Sequence, residues 1–250
     1  GVSSAASDVY KRQLVARRAS TEEKNRALTK IAEAITEATP EIIRANAVDL
    51  KEAQAQGLDA PSQDRLRIDA KGIASMVAGL EQIIALQDPV GQIKDTTIRP
   101  NGLSIGKMRT PLGVIGMVYE SRPNVTVDAA GLCLKSGNAV ILRGGSECIE
   151  TNRILSECIQ RGLMAAEVDP SWVQLVKTTD RAAVGQLLKL DEYVDLIIPR
   201  GGKSLIERVA TESTIPVLKH LDGICHIYVH DDADLRMAEA LIMNAKTHRY

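Results

Sequence analysis

The sequence predicts an α/β protein in which N-terminal helices and a β-ribbon precede a doubly wound parallel sheet. From residue 112 onward, continuous apolar segments alternate with helical segments, an order typical of a parallel sheet covered by helices on both faces. Residues 20–86 carry helical periodicity, and Asn101-Gly102 separates two short extended segments, as in a β-hairpin. The sequence contains no G-x-G-x-x-G, so the standard Rossmann phosphate turn is not used.

Composition narrows the class of protein. The 250 residues are 44% hydrophobic, and 31 basic residues nearly balance 32 acidic ones. The chain is therefore long and apolar enough to bury one large core or two smaller ones. Because the charges nearly cancel, nucleic acid and anionic membranes are not expected partners. Without a long apolar run or a signal peptide, the sequence predicts a cytoplasmic protein. The four cysteines form no C-x-x-C pair, so we expect reduced thiols, no disulfides and no metal.

Both ends of the chain differ from an ordinary domain. Residues 1–13 are small and polar, and the chain begins with Gly1 rather than Met. We saw no sustained apolar face there and interpret the segment as a non-native leader; a frayed but genuine amino terminus is the alternative. Near the other end, Leu241 and Ile242 belong to a helical pattern that is unfinished at Tyr250. We therefore expect the fold to continue past that residue.

Residues 14–90 are predicted to form a helical layer. Ser20 and Glu23 have capping-box spacing at the start of the first helix. For the second, Thr39-Pro40 predicts a Thr N-cap followed by Pro at the first helical position, and Gly57 ends the helix. A third apolar stripe covers residues 73–84.

Residues 91–110 then predict a β-ribbon, which we assign to oligomerisation or bridging, with Asn101-Gly102 as a two-residue turn. The remaining residues, 111–250, predict an incomplete α/β domain. Its expected strands are Val114–Tyr119, Ala139–Leu142, Val173–Val176, Val194–Ile198 and Ile224–Val229.

Two of these strands run into the same tripeptide, followed by a helix with a serine in its first turn. The two segments are Arg143-Gly144-Gly145-Ser146 and Arg200-Gly201-Gly202-Lys203-Ser204. Glycine lets the backbone approach a phosphate closely, and a helix start attracts negative charge. We therefore predict an anion site at the carboxyl ends of the strands. A P-loop is excluded because Ile197 occupies the position of its first glycine.

Three further residues have alternative interpretations. Arg143 would either pair with a 2′-phosphate, favouring NADP over NAD, or cap a neighbouring carboxylate. Asn124, at a helix start, would be either an N-cap or an amide donor to an oxyanion. Cys148 lies at another helix start but has no base nearby in sequence, so we do not expect it to be a nucleophile. Cys225 is predicted to be inert core within a strand.

Three blocks carry a resemblance to a known family. They are PLGVIGMVYESRPNVTVDAAGLCLKSGNAVILRGGSE (111–147), DLIIPRGGKSLI (195–206) and TIPVLKHLDGICHIYVHDDADLRMAEALIMNAKTHR (214–249). Together they resemble the γ-glutamyl phosphate reductases, a divergent branch of the aldehyde dehydrogenase superfamily. The resemblance covers residues 14–250 and implies an aldehyde-dehydrogenase-like fold, with a Rossmann-type sheet that lacks the usual glycine motif.

The resemblance also implies an activity. NADPH would reduce L-glutamyl 5-phosphate to L-glutamate 5-semialdehyde with release of phosphate, which is the second step of proline biosynthesis. The nucleophilic cysteine of the family follows the block Asn244–Thr247 by a few residues. It would therefore lie beyond Tyr250, so the catalytic domain would be absent and the chain by itself inactive. Implied partners are the substrate, glutamate 5-kinase for channelling, and further copies in a homo-oligomer when full length.

By the same comparison, Asn124 matches the oxyanion asparagine. Residues implied to bind NADP are, on the adenosine-ribose side, Arg143, Gly144, Gly145, Ser146 and Glu147, and, on the pyrophosphate side, Arg200, Gly201, Gly202 and Ser204. The water-activating glutamate of most aldehyde dehydrogenases would fall within 220–223, which reads His-Leu-Asp-Gly. Two alternatives stay open: a non-catalytic nucleotide-binding module, and the reductase half of a bifunctional pyrroline-5-carboxylate synthase.

Overall fold

The structure is a computed structural model that describes residues 2–3, 6–7, 9–10, 16, 18–219 and 224–248. It divides into two compact units, Gly1–Lys219 and His220–Tyr250. Within the described residues, no helix combines the length and the hydropathy needed to cross a membrane.

Between residue 20 and the sheet, the described residues form four helices: α1 Thr21–Glu37, α2 Thr39–Ala55, α3 Ala60–Leu66 and α4 Ala70–Ala85. The capping box of α1 is confirmed, since the Ser20 hydroxyl accepts from the Glu23 N–H and the Glu23 carboxylate accepts from the Ser20 N–H. The predicted N-cap of α2 is wrong. Ala38 ends α1 and also begins α2, so Thr39 is already helical, and its hydroxyl donates to the Thr36 carbonyl in the last turn of α1.

The β-ribbon pairs β1 (Ile93–Ile98) with β2 (Ser104–Met108) in antiparallel fashion. Its turn is longer than the predicted two residues. The Arg99 N–H donates to the Leu103 carbonyl, and the Gly102 N–H donates to the Arg99 carbonyl. Only Gly102 in this turn has a positive φ, of 83°. Proline fixes φ near −65°, so Pro100 favours a type I turn closed by one left-handed residue.

The main sheet is parallel, with strands β3 Val114–Tyr119, β4 Ala139–Arg143, β5 Val173–Leu175 and β6 Leu196–Arg200 in the order β5-β4-β3-β6. Four of the five predicted strands are thus present, although β6 begins later than predicted. Val118 is level with Arg143, and Tyr119 is level with Arg200. The strand order reverses beside β3, because β4 and β5 lie on one side of it and β6 on the other.

Helices cover both faces of the sheet, as the apolar strands predicted. Further helices are α5 Asn124–Lys135, α6 Ile149–Ala165, α7 Ala182–Leu187 and α8 Lys203–Glu212. Alternate residues of β3 and β4 enter opposite cores: Val140 and Leu142 pack with residues of α1, α4, α5 and α6, whereas Ala139 and Ile141 pack with residues of α7 and α8. This alternation is the two-residue period of a strand.

The second core also contains Val2, Ala6 and Val9, which are buried and helical. Spaced four and three residues apart, they form an apolar helical face, which the sequence analysis overlooked. Positions 1, 4, 5, 8 and 11–13 lie outside the described residues, and the assignment of 1–13 as a leader stays a prediction.

The helical layer is joined to the sheet domain by a buried carboxylate. Asp49 of α2 accepts hydrogen bonds from the N–H groups of Glu150 (3.1 Å) and Thr151 (2.8 Å) at the start of α6. It also accepts from the Thr151 hydroxyl at 2.6 Å. The acid is thus a cap supplied from a distant helix to N–H groups that lack partners within α6.

The second unit contains α9, Leu235–Thr247, whose N-cap Asp234 accepts from the N–H groups of Arg236 and Met237. The predicted strand Ile224–Val229 is wrong: these residues have no regular structure, and Tyr228 is 83% exposed. A strand needs a partner for its backbone groups, and no described residue pairs with this segment. Cys225, predicted to be core, is exposed for the same reason. Residues 220–223 lie outside the described part of the chain.

Candidate nucleotide-binding site

Three loops meet at the carboxyl edge of the sheet. They follow β3, β4 and β6, and are made of residues 120–123, 143–145 and 200–202. Both Arg-Gly-Gly segments therefore lie on one edge, as predicted, on either side of the end of β3. In open α/β sheets, ligands bind where the strand order reverses, which here is the crevice between β3 and β6.

Arg143 supports the loop after β4 from inside. The residue is 7% exposed, and its guanidinium donates to the carbonyl oxygens of Gly144 (2.6 Å), Thr179 (3.2 Å) and Asp180 (3.4 Å). Its Nε is buried without a hydrogen-bond partner in the described structure. Burial lowers the pKa of Arg143, and the nearby Glu147 carboxylate opposes this effect. The predicted alternative, a cap on a carboxylate, is wrong, because these acceptors are backbone carbonyls.

Gly144 is required by close packing. A Cβ at this position would overlap the Asn152 side-chain nitrogen and lie 3.1 Å from the Tyr119 ring. A Cβ on Gly145 would overlap the Glu147 carboxylate. That carboxylate accepts from the Ser121 N–H and from the Ser121 hydroxyl. The loop after β3 is thereby tied to the loop after β4, and Ser146 is exposed at the start of the following turn.

A chain of buried polar groups runs beneath Gly144 and Gly145. The Tyr119 hydroxyl lies 2.7 Å from the Thr126 hydroxyl, which donates to the Asn152 side-chain oxygen at 2.9 Å. The Asn152 amide then donates to the Cys148 sulfur at 3.1 Å, and the thiol lies 3.4 Å from the Gly145 carbonyl oxygen. The sequence analysis missed this chain, because its members come from three separate segments and form no motif.

The loop after β6 is more open. Arg200 is exposed, and Gly202 is the N-cap of α8. The Gly202 N–H donates to the Glu120 carboxylate at 3.0 Å, while the Glu120 N–H donates to the Arg200 carbonyl at 3.1 Å. A Cβ on Gly201 would overlap the same carboxylate. A carboxylate from another loop thus occupies this helix start, and nothing in the sequence around Glu120 indicates that contact. Ser204 is exposed in the first turn of the helix.

Asn124 is not the N-cap of α5. It is the first residue of α5, the N-cap is Pro123, and no side chain caps the helix; the capping alternative is therefore wrong. Its amide nitrogen donates to the Asp128 carboxylate at 2.9 Å, one turn along. Burial raises the pKa of Asp128, and the hydrogen bond from Asn124 opposes this effect. The oxyanion role stays a prediction.

The buried thiols are poor nucleophiles. Burial raises the pKa of Cys133 to about 12, and it raises the pKa of Cys148 further above the usual range, with Glu147 adding to the effect. Thiols attack as thiolates, so burial outweighs any effect of the helix start beside Cys148. Cys158 is also buried with a raised pKa. These properties agree with the prediction that Cys148 is not a nucleophile.

A parallel sheet covered by helices on both faces, with glycine loops at its reversal point, belongs to the doubly wound α/β class. A sequence model of the aldehyde dehydrogenase family matches residues 2–249. The chain belongs to the aldehyde dehydrogenase family.

Solved structures agree with this membership. The chain is 43% identical to a γ-glutamyl phosphate reductase from Thermotoga maritima, covering 98% of this chain and 59% of that one, with a TM-score of 0.90. It is 34% identical to the γ-glutamyl phosphate reductase from Saccharomyces cerevisiae, covering 98% and 62%, with a TM-score of 0.81. The chain therefore spans about three fifths of the length of these relatives.

An acetylating aldehyde dehydrogenase from Geobacillus thermoglucosidasius is more distant. It is 16% identical, with coverage of 98% of this chain and 51% of that one and a TM-score of 0.72. This similarity shows a shared fold.

Proposed function

We propose that the chain is the cofactor-binding part of a cytoplasmic, NADP-dependent γ-glutamyl phosphate reductase. The reaction is reduction of L-glutamyl 5-phosphate to L-glutamate 5-semialdehyde with release of phosphate, in proline biosynthesis. The observation that carries this proposal is the 43% identity, over 98% of the chain, to a structure of that enzyme. In the whole protein we propose a homo-oligomer that receives its substrate from glutamate 5-kinase.

The residues at the carboxyl edge fit a dinucleotide. The backbone at Gly144 and Gly201 is held where a Cβ would overlap its neighbours, and Gly202 presents an N–H at a helix start, the arrangement that suits a phosphate. The guanidinium of Arg143 has a buried Nε without a partner in the described structure, which favours an anion nearby. The cofactor, when bound, supplies the hydride.

We assign the adenosine ribose and its 2′-phosphate to the loop after β4. The residues of that loop are Arg143, Gly144, Gly145, Ser146 and Glu147. The pyrophosphate belongs to Arg200, Gly201, Gly202 and Ser204. For this to happen Glu120 must leave the Gly202 N–H, because two anions cannot share it.

In the reaction, Asn124 is proposed to donate its amide to the acyl oxygen of the substrate, where negative charge develops. The attacking group is proposed to be the cysteine that the resemblance to the reductases implies beyond Tyr250. The three cysteines of the first unit are buried with raised pKa values. Cys225 is exposed, but it precedes the Asn244–Thr247 block, which the cysteine of the family follows. The thiolate of the attacking cysteine forms a bond to the acyl carbon, and phosphate leaves with the electrons of the broken C–O bond.

Activity and binding assays test the proposal together. We expect the 250-residue chain to bind NADPH saturably, measured by fluorescence titration, but not to reduce NADP when given glutamate 5-semialdehyde and phosphate. A longer protein that includes the chain and a downstream cysteine is expected to do both, and replacement of that cysteine by alanine should abolish turnover.

Three results would count against the assignment. Failure of the folded chain to bind NADPH would contradict the cofactor role. Turnover by the 250-residue chain alone would contradict the placement of the nucleophile. Binding without turnover in the longer protein would favour the non-catalytic module.

A further inference from the structure

We propose that Thr126 and Asn152 are positioning residues that hold the Gly144–Gly145 loop in register with the first turn of α5. The inference rests on the proposed cofactor role of that loop. Both side chains are buried, and neither faces the crevice. Their proposed role is to fix the position of the cofactor relative to Asn124.

The hydrogen bonds run in a single direction. Thr126 has one hydroxyl proton and gives it to Asn152, so the Tyr119 hydroxyl must be the donor to Thr126. Asn152 passes from acceptor to donor through its amide, and the Cys148 thiol donates to the Gly145 carbonyl. The two hydroxyls, the thiol and one N–H of the Asn152 amide therefore each have an acceptor, and the last acceptor is the backbone of the loop.

The protonation states agree with this direction. Burial raises the pKa of both Tyr119 and Cys148 above the usual range. The phenol and the thiol accordingly keep the protons that the chain requires. Tyr119, Thr126, Cys148 and Asn152 are all 0% exposed, so water does not substitute for a lost partner, and a break in the chain leaves a buried polar group unpaired.

The loop rests directly on these groups. The Asn152 nitrogen and the Tyr119 ring occupy the space that a Cβ on Gly144 would need. The guanidinium of Arg143 also donates to the Gly144 carbonyl. The backbone of the loop is thus held both by Arg143 and by the buried chain.

The other end of the chain lies close to the proposed oxyanion donor. Thr126 is in the first turn of α5, two residues after Asn124. A reaction between a bound cofactor and a bound acyl group is sensitive to displacements on the order of 1 Å. A connection between these two parts of the site therefore bears on catalysis, although neither positioning residue contacts the reactants.

Paired substitutions test the inference through NADPH affinity measured alongside thermal unfolding. Thr126→Val keeps the shape but removes the hydroxyl, and Thr126→Ser restores it. We expect Thr126→Val to weaken NADPH binding about five- to tenfold, which corresponds to the free energy of about one hydrogen bond. Thr126→Ser should stay within about twofold of wild type.

Asn138→Ala is the matched control. Asn138 is 4% exposed, and its oxygen accepts from the Gly113 N–H at 2.9 Å, at the amino edge of the sheet. Its loss should lower the unfolding temperature without changing the affinity. If Thr126→Val lowers stability and leaves the NADPH affinity unchanged, the role is purely structural and the inference is wrong.

A second pair guards against misfolding of the valine variant. Cys148→Ser keeps a side-chain donor for the Gly145 carbonyl. Cys148→Ala removes that donor and leaves only the backbone N–H of residue 148, at 3.4 Å from the same oxygen. The alanine variant is expected to bind NADPH more weakly than the serine variant. Equal affinities would overturn the inference while leaving the proposed function intact; absence of NADPH binding by the folded wild-type chain would overturn both.

Discussion

The two Arg-Gly-Gly segments have the same sequence but different surroundings. Arg143 is buried and donates to three carbonyl groups, and its glycines lie over a buried polar chain. Arg200 is exposed. Gly202, two residues later, is the N-cap of α8, and its N–H donates to the carboxylate of Glu120 from the loop after β3. A local motif thus marks where an anion can bind, while its neighbours decide how firmly the backbone is held.

The largest expected difference concerns the two arginines. Arg143→Ala should weaken NADPH binding roughly 10- to 100-fold, because a charge-assisted contact and the support of three carbonyls are lost. NADH should be less affected if the guanidinium reads the 2′-phosphate. Arg200→Ala should cost no more than about fivefold, since exposed charges contribute little. Titration of both variants with both cofactors checks this, and equal losses for NADPH and NADH in Arg143→Ala would remove the 2′-phosphate from its role.

The glycines should differ in stability. Gly144→Ala places a methyl group against Asn152 and Tyr119, and overpacking of this kind costs about 1–3 kcal/mol. At Gly202 a Cβ would meet nothing nearer than the Glu120 carboxylate at 3.9 Å, so Gly202→Ala should cost below about 1 kcal/mol, mainly from a weaker helix cap. Urea unfolding of the two variants measures this. A similar cost at both positions would show that the loop after β4 is not the more tightly packed one.

The smallest expected effect has the opposite sign. Glu120→Gln keeps the shape and removes the charge that competes for the Gly202 N–H, so NADPH should bind about two- to fivefold more tightly. Glu207→Gln is the control. Glu207 is exposed on α8, the helix that begins after Gly202, and its carboxylate lies 3.9 Å from the Lys203 ammonium group. Weaker binding by Glu120→Gln would mean that the carboxylate contacts the cofactor instead of giving way to it.

Apolar patterning predicted much of the fold. The four strands of the parallel sheet were found because they are apolar runs covered by helices on both faces of the sheet, and apolar runs of that kind are readable without knowing the neighbours. Ile224–Val229 has the same pattern but no partner among the described residues, and a sequence pattern carries no information about partners. The turn at Pro100 and the cap at Ala38 were mispredicted because the residues next to each motif changed the local backbone.

Only the local sequence motifs of the candidate site were predictable. The glycine pairs and Asn124 were visible as motifs, and the parallel order of strands was enough to place both loops on one edge. Glu120, Thr126 and Asn152 were not visible, because each acts through a residue that is distant in sequence. Such side chains have ordinary local surroundings, and only the packed structure reveals their partners.

The cap that Asp49 provides to α6 has a consequence for synthesis on the ribosome. The N–H groups that donate to its carboxylate oxygens lie 101 and 102 residues further along the chain. During vectorial synthesis the first helices therefore emerge with a carboxylate that water must solvate, and their packing is completed only after α6 has appeared. Contacts of such long sequence separation slow folding. The helical layer is therefore synthesised early but completes its packing late. Its apolar faces stay accessible to chaperones until the residues of α6 have been added.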